Sequence, residues 1–199
     1  MQYLVSAALL VAVAAWVVAV FNRLNHLRGE VCGAWQQWVT ATHRRNECLA
    51  DFASVFALLM PQGDMLPRSL RRLAADSERS LGASPEPHWG ASPGFVGGAE
   101  AVLRRVVDDS MVAVENSPLL RAHERLQQLS SQVHLSCYQQ EQYTRLFNHM
   151  AEAYNNALAD PSGRLLAPLF GFASAGVLCP VKEMPAPSEE GAGAEESLR

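Results

Sequence analysis

The chain has 199 residues, 49% of them hydrophobic, and a formal net charge of -4. That length allows one compact domain with its own core. The mild charge does not favour nucleic acid or a strongly basic partner, so we expect no nucleic-acid binding. The four cysteines form no Cys-x-x-Cys pair and no zinc-type spacing, which is compatible with a reducing, cytoplasmic setting.

An uncharged apolar run opens the chain over residues 3–21. As a helix it is about 28 Å long, close to the hydrocarbon thickness of a bilayer. Arg23, Arg28, Arg44 and Arg45 follow it, and no charged side chain precedes it. The positive-inside tendency then places the amino terminus outside and the rest in the cytoplasm. Residues 1–21 are therefore predicted to be a transmembrane anchor, with the lipid bilayer as a partner.

A cleaved signal peptide is the alternative interpretation of the same residues. Signal peptides have a positive start and an apolar core of about 7–15 residues before a small-x-small cleavage site. This run begins without Lys or Arg and is longer, and its Ala12-Val13-Ala14 lies inside the apolar stretch. The sequence favours a retained anchor.

Apolar residues recur in alternating steps of three and four beyond the anchor, a pattern typical of helices that share a core. It runs to Leu59 without a helix-breaking cluster, so the anchor is expected to continue directly into this helix. Further helices are predicted over residues 66–81 and 99–116, and a fourth from Ser117 as N-cap and Pro118 at the first turn to Ala157. The fold class is all-α: the transmembrane helix continues into an antiparallel four-helix bundle over residues 22–179.

Three segments lie outside these helices. Residues 82–98 are rich in Gly, Pro and Ser and are predicted to be a flexible surface loop, with Trp89 and Phe95 packing back on the domain. Residues 164–178 are apolar but interrupted by Pro and Gly, so we expect them to pack on the bundle end or lie at the membrane surface. Residues 180–199 are predicted to be a disordered acidic tail.

An ordered set of short motifs resembles the LemA family of bacterial membrane proteins. They are Phe21-Asn22-Arg23-Leu24 with Leu27-Arg28, Ala34-Trp35, Arg44-Arg45, Ser117-Pro118-Leu119, Phe147-Asn148, Tyr154-Asn155 and Leu169-Phe170-Gly171-Phe172. The chain departs from the family pattern at Ala50-Asp51 and around residues 136–140, and its 82–98 loop is unusual, so it resembles a divergent member. The resemblance implies an N-terminal anchor in the bacterial inner membrane, an antiparallel helical bundle and no established catalytic residues.

The candidate interaction residues are those of the motifs: Asn22, Arg23, Arg28, Trp35, Arg44, Arg45, Phe147, Asn148, Tyr154 and Asn155. Phe147 and Tyr154 fit the core. Asn148 and Asn155, one heptad apart, are expected to make structural bonds to the first helix, and lining a groove is the alternative. Arg45 and Gln140 stand where apolar residues are expected. Arg45 either extends to water along its stem or belongs to a buried polar layer, and we expect the first.

No catalytic, cofactor or metal site is predicted, because the chain has no Glu-x-x-His pair, no Gly-x-Ser-x-Gly elbow and no phosphate-binding Gly-x-x-x-x-Gly-Lys loop. We expect a non-enzymatic interaction or scaffold module with an unidentified protein partner. The alternative is self-assembly into a homo-oligomer that organises or remodels the membrane. A membrane-anchored hydrolase is a third, weaker possibility.

Overall fold

The computed structural model describes residues 1–60, 64–83, 86–90 and 97–178. Within them the protein is all-helical, as the sequence predicts. The helices are α1 (Gln2–Leu59), α2 (Leu66–Ala83), α3 (Gly97–Asn116), α4 (Pro118–Arg121), α5 (Glu124–Ala159) and α6 (Pro161–Phe170). An isolated antiparallel bridge between Trp89 and Ala175 is the extent of β pairing in these ranges.

α1 is a single helix of 58 residues, and it confirms the prediction that the apolar N-terminal run continues into the domain. The side chains before Leu24 are mostly exposed, whereas Leu24 and Val31 are almost completely buried. The helix ends at Leu59 because Met60 adopts an extended conformation, φ -83° and ψ 151°, immediately before Pro61. One helix thus carries both an exposed apolar half and a packed half.

The predicted α2 and α3 are confirmed, each extended by two residues at one end. α2 buries Leu70, Ala74 and Leu81 and exposes Arg68, Arg71, Arg72 and Arg79. α3 buries Leu103 and Val107. α1 packs against α5 and α2, and α2 packs against α3.

The prediction of one continuous fourth helix from Ser117 to Ala157 is wrong, because this segment forms two helices, α4 and α5. α4 has only four residues, and the chain then turns at Ala122 before His123 caps α5. The main chain of His123 is extended, and its Nδ1 accepts a hydrogen bond from the Leu126 N–H at 3.2 Å. Within α4, Leu119 is 68% exposed and its neighbour Leu120 is buried.

The core consists of two apolar clusters. The first, distant from the apolar run of α1, includes Leu49, Phe52, Phe56, Leu103, Leu120, Leu126 and Leu129. The second, nearer to that run, includes Val31, Trp35, Trp38, Phe147, Tyr154, Ala175 and Leu178. Buried polar side chains of α1 and α5 lie between the two clusters along these helices: Thr42, Arg45, Asn46, Gln140 and Thr144.

After α5 the chain starts another helix at once. α5 ends at Ala159, two residues beyond the predicted Ala157, and Pro161 occupies the first turn of α6, where its missing N–H costs nothing. α6 ends at Gly171, which has the left-handed conformation, φ 69°. Residues 172–178, called the strap below, then pack beside α5 without forming a helix.

Trp89 packs back onto the domain, as predicted, with its ring centroid 5.7 Å from that of Tyr154. The structure describes residues 82–83, 86–90 and 97–98 of the predicted loop. The rest of that loop, which includes Phe95, lies outside the described residues, and so does the predicted tail over residues 180–199.

Candidate functional site

Arg45 is buried, so the expectation that it extends to solvent is wrong. Its residue is 4% exposed. The guanidinium forms an ion pair with Glu100 of α3 and donates to Asn46 Oδ1 at 2.9 Å and to Ser77 Oγ of α2 at 3.1 Å. The alternative of a buried polar layer is therefore the observed one. We call Arg45, Asn46, Ser77 and Glu100 the polar layer.

The polar groups of the layer are satisfied by one another and by Glu78 of α2. Burial lowers the pKa of Arg45 to about 10, so the side chain is still protonated at neutral pH. Asn46 donates to Glu78 Oε2 at 2.9 Å, and Glu78 also contacts His43. The adjacent cavity of about 20 Å³ has room for one water but not for a substrate. The layer thus joins α1 to α2 and to α3.

The second unexpected polar position, Gln140, is also buried. Its Nε2 lies 3.4 Å from Thr144 Oγ1. The same hydroxyl accepts a hydrogen bond from the Trp38 indole N–H at 3.1 Å. The bond between Trp38 and Thr144 joins α1 to α5 between the two apolar clusters.

Asn148 and Asn155 bind the strap, so the expectation that they bond to the first helix is wrong. Asn155 donates to the Ala175 carbonyl at 2.9 Å and accepts from the Ala175 N–H at 2.8 Å. Asn148 makes the same pair of bonds with Leu178, at 2.6 and 2.8 Å. Each side-chain amide thus replaces the neighbouring peptide group that a strand would supply.

The other side of the strap is bound by the short segment around Trp89. The Gly90 N–H donates to the Ser174 carbonyl at 2.7 Å, and the Gly176 N–H donates to the His88 carbonyl at 2.9 Å. The Tyr154 hydroxyl donates to the Ala173 carbonyl at 3.0 Å. Burial raises the pKa of Tyr154, which keeps this phenol protonated and able to donate.

Two further candidates complete this region. The Arg28 guanidinium carbon lies 4.8 Å from the centre of the Trp89 ring, a cation–π contact. Trp35 is 2% exposed, and its ring centroid is 5.4 Å from that of Phe147. The structure therefore brings together six of the ten candidates around the strap: Arg28, Trp35, Phe147, Asn148, Tyr154 and Asn155.

The remaining candidates lie apart from that group. Asn22 and Arg23 are exposed beside the end of the apolar run, and Arg23 forms an ion pair with Asp160 at 3.2 Å. Arg44 is exposed and lines an open groove of about 330 Å³ between α1 and α5, together with Gln36, Gln37, Thr40, Gln139 and Tyr143. Arg44 and Arg45 are adjacent in the sequence, but Arg44 is exposed to solvent and Arg45 is buried.

Sequence reasoning missed the partners of these residues. Glu100 and Ser77 are far from Arg45 in the sequence, and the strap lies in a segment assigned only a general packing role. One signal was present: Trp89, a large aromatic residue in a Gly- and Pro-rich segment, was expected to pack back, and its neighbours bind the strap.

The chemistry of this arrangement is binding to main-chain amides. Two asparagines and one tyrosine on α5 bind an extended segment through its N–H and C=O groups. Among residues 1–60, 64–83, 86–90 and 97–178, no group of three or more His, Cys, Asp or Glu is placed to bind a metal ion.

No protein-family model, curated protein or solved structure matches this chain. The resemblance to the LemA family therefore stays a prediction.

Proposed function

We propose that this chain is a single-pass membrane protein whose helical domain is a non-enzymatic interaction or scaffold module, of divergent LemA type, at a bacterial inner membrane. In this proposal the amino terminus lies outside, and the domain, an antiparallel four-helix bundle, lies in the cytoplasm. The observation that carries it is the continuity of α1 from an exposed apolar run into the packed core.

The exposed run is what makes the membrane the natural environment. Among the residues that the structure describes, one helix, α1, is long and apolar enough to cross a bilayer, and its most apolar stretch has a mean hydropathy of 2.7 with no residue buried. Leu4, Leu9, Leu10 and Val11 are each more than 60% exposed. In water such a surface costs roughly 25 cal/mol for each Å² of apolar area, and lipid removes this cost.

The bundle arrangement is supported by the pairing of α1 with α5. Arg23 contacts Asp160, the residue that follows α5, and Trp38 contacts Thr144 within α5. Residue numbers along α5 therefore fall as those along α1 rise, which is the antiparallel direction. Helices paired in this direction are the usual neighbours in an up-and-down bundle. The scaffold role is supported by the polar layer and the strap, whose contacts connect the helices of a domain that is directly joined to the anchor.

Membrane attachment is tested first, by fractionation of cells that express the full-length chain and by the mass of the purified protein. We expect the intact protein, with residues 3–21 retained, to remain with membranes after alkaline extraction. Leu10→Arg should reduce this retention, because an arginine at the centre of a span costs about 2.5–3.5 kcal/mol. Leu58→Arg, at an 85% exposed position of the same helix, is the matched control and should have no effect. Soluble or N-terminally cleaved protein would refute the anchor.

The scaffold role is tested by crosslinking the full-length protein in cells and identifying what co-purifies. One stoichiometric foreign protein, lost when the anchor carries Leu10→Arg, would support the proposal. A ladder of adducts containing only this chain would refute it in favour of self-assembly.

Self-assembly is the second candidate because the groove beside Arg44 lies open between the two longest helices. Its lining combines polar side chains with a larger exposed apolar area, which suits a second copy of the chain that binds reversibly. In that case Arg44→Glu should reduce the ladder of adducts. Arg125→Glu, at an exposed position near the start of α5 and away from the groove, should leave it unchanged.

A further inference from the structure

α6 is fixed beside the end of the apolar run of α1. Asp160, its N-cap residue, pairs with Arg23 at 3.2 Å. At the other end of the helix, the Phe170 ring centroid lies 5.1 Å from that of Phe21, and the Phe172 centroid lies 5.7 Å from it. Phe21 is the last residue of the uncharged run. α6 therefore lies at the level where the apolar surface of α1 ends.

The two faces of α6 differ in a way that its own packing does not explain. Gly163, Leu166 and Ala167 are buried against the domain. On the other face Leu165 is 62% exposed and Leu169 is 74% exposed, and Phe170, which follows Leu166 by one turn and packs on Phe21, is still 45% exposed. Leu165 and Leu169 are four residues apart, so they lie one turn above each other and form a continuous apolar surface.

This apolar surface continues into that of the anchor. Val18 of α1 is 56% exposed and Trp16 is 45% exposed, within two turns of Phe21. Arg164 on α6 and Arg23 on α1 are exposed beside the same surface, where they can contact lipid phosphate groups. Short helices with exposed Leu and Phe and flanking cationic residues bind in the boundary between headgroups and acyl chains.

We propose that α6 lies in the headgroup–acyl boundary of the bilayer that α1 crosses, with Leu165, Leu169 and Phe170 in contact with lipid. α6 is then a second attachment, which orients the domain relative to the membrane through the Phe21, Phe170 and Phe172 rings. The occupant is lipid because the surface is continuous with the apolar run of the anchor. This inference rests on the proposed function, since it requires α1 to be in a bilayer.

The test uses the full-length protein in phospholipid nanodiscs with the photoreactive residue p-benzoylphenylalanine at single positions. Leu169→p-benzoylphenylalanine is the probe, and Leu165 provides a second, independent position. Leu119, 68% exposed on α4, is the matched control because α4 packs in the distant cluster, roughly 50 Å farther along α1. Leu10, 71% exposed in the apolar run, reports whether the anchor is in lipid.

We expect lipid adducts at Leu169 and Leu165 at least about tenfold above those at Leu119, and comparable with those at Leu10. Adducts at Leu10 without adducts at either α6 position would overturn this inference and leave the anchor intact. Protein–protein adducts at Leu169 in place of lipid would overturn it in favour of a second copy. The absence of lipid adducts at Leu10 as well would refute the anchor itself.

Discussion

Asn155 and Ala175 are joined by two hydrogen bonds, one in each direction, between the side-chain amide of the first and the main chain of the second. Asn148 and Leu178 repeat the arrangement. Seven residues of helix advance about 10.5 Å, and three residues of extended chain advance about 10 Å. The spacing of the two asparagines on α5 therefore matches the spacing of their partners in the strap.

Removing either amide should destabilise the protein. Ala175 and Leu178 are buried, so Asn155→Ala or Asn148→Ala leaves a main-chain N–H and C=O without partners at a cost of about 2 kcal/mol each. The measurement is urea denaturation of the full-length protein in detergent, followed by circular dichroism. Asn156→Ala changes the exposed neighbouring asparagine and should alter the free energy of unfolding by less than about 0.5 kcal/mol. Equal effects of all three variants would refute the role of the strap contacts.

The heptad spacing of Asn148 and Asn155 was visible in the sequence, but their partner was not. Periodicity identifies residues that share a helix face, and it correctly predicted Phe147 and Tyr154 as core. It contains no information about where the chain goes after α6. The strap begins after Gly171, which has the left-handed conformation, and its main chain is not helical. The path of such a segment depends on tertiary contacts.

The ion pair of Arg45 and Glu100 should be costly to break, because the guanidinium is buried. Glu100→Gln leaves the positive charge of Arg45 unpaired and should lower the free energy of unfolding by about 3 kcal/mol. Arg44→Gln, at the exposed neighbouring position, is the control and should change it by less than about 0.5 kcal/mol. The double variant Arg45→Met with Glu100→Leu should recover most of the loss. If it does not, the layer acts through its hydrogen bonds more than its charges.

The polar layer also marks where sequence reasoning stopped. The three-four pattern identified Arg45 as an interruption of an apolar stripe, but the compensating groups come from α2 and α3. The break between α4 and α5 was not predicted, for a different reason. Residues 122–123 contain no Gly or Pro, and His123 is an unusual N-cap, so neither of the common signals of a helix end was present.

Gly163 is required by the close approach of α6 to the end of α5. A Cβ at this position would lie 2.1 Å from the Ala157 carbonyl oxygen and 2.9 Å from Leu158 Cα, both main-chain atoms. Gly163→Ala should therefore force the helices apart and cost about 2 kcal/mol or more. Gly33→Ala is the matched control, because nothing lies within 4 Å of its Cβ and an alanine inside α1 should stabilise by about 0.5–1 kcal/mol. Thermal unfolding should shift in opposite directions for the two variants, and a shift in the same direction would contradict the close approach.

Glu141 should make stability depend on pH in the acid range. It accepts hydrogen bonds from Arg145 at 2.7 Å and from Arg104 of α3 at 3.2 Å, and the Arg145 bond is the larger cause of a pKa below the ordinary 4.5. A carboxyl group with a lowered pKa in the folded state binds fewer protons there than in the unfolded chain. Its contribution is therefore present above the ordinary pKa and is lost as the pH falls through the folded-state pKa.

The measurement for Glu141 is the free energy of unfolding from urea titrations at pH 7 and at successive values below 4.5. Glu141→Gln should be less stable than the wild type at pH 7, and the difference should shrink toward zero in acid. Arg145→Met, which removes the main cause of the lowered pKa, should give the same trend with a smaller amplitude, because Arg104 still pairs with the carboxylate. A difference that is constant with pH would mean that the glutamine disturbs packing, and the link from α3 to α5 would then not depend on the charge of Glu141.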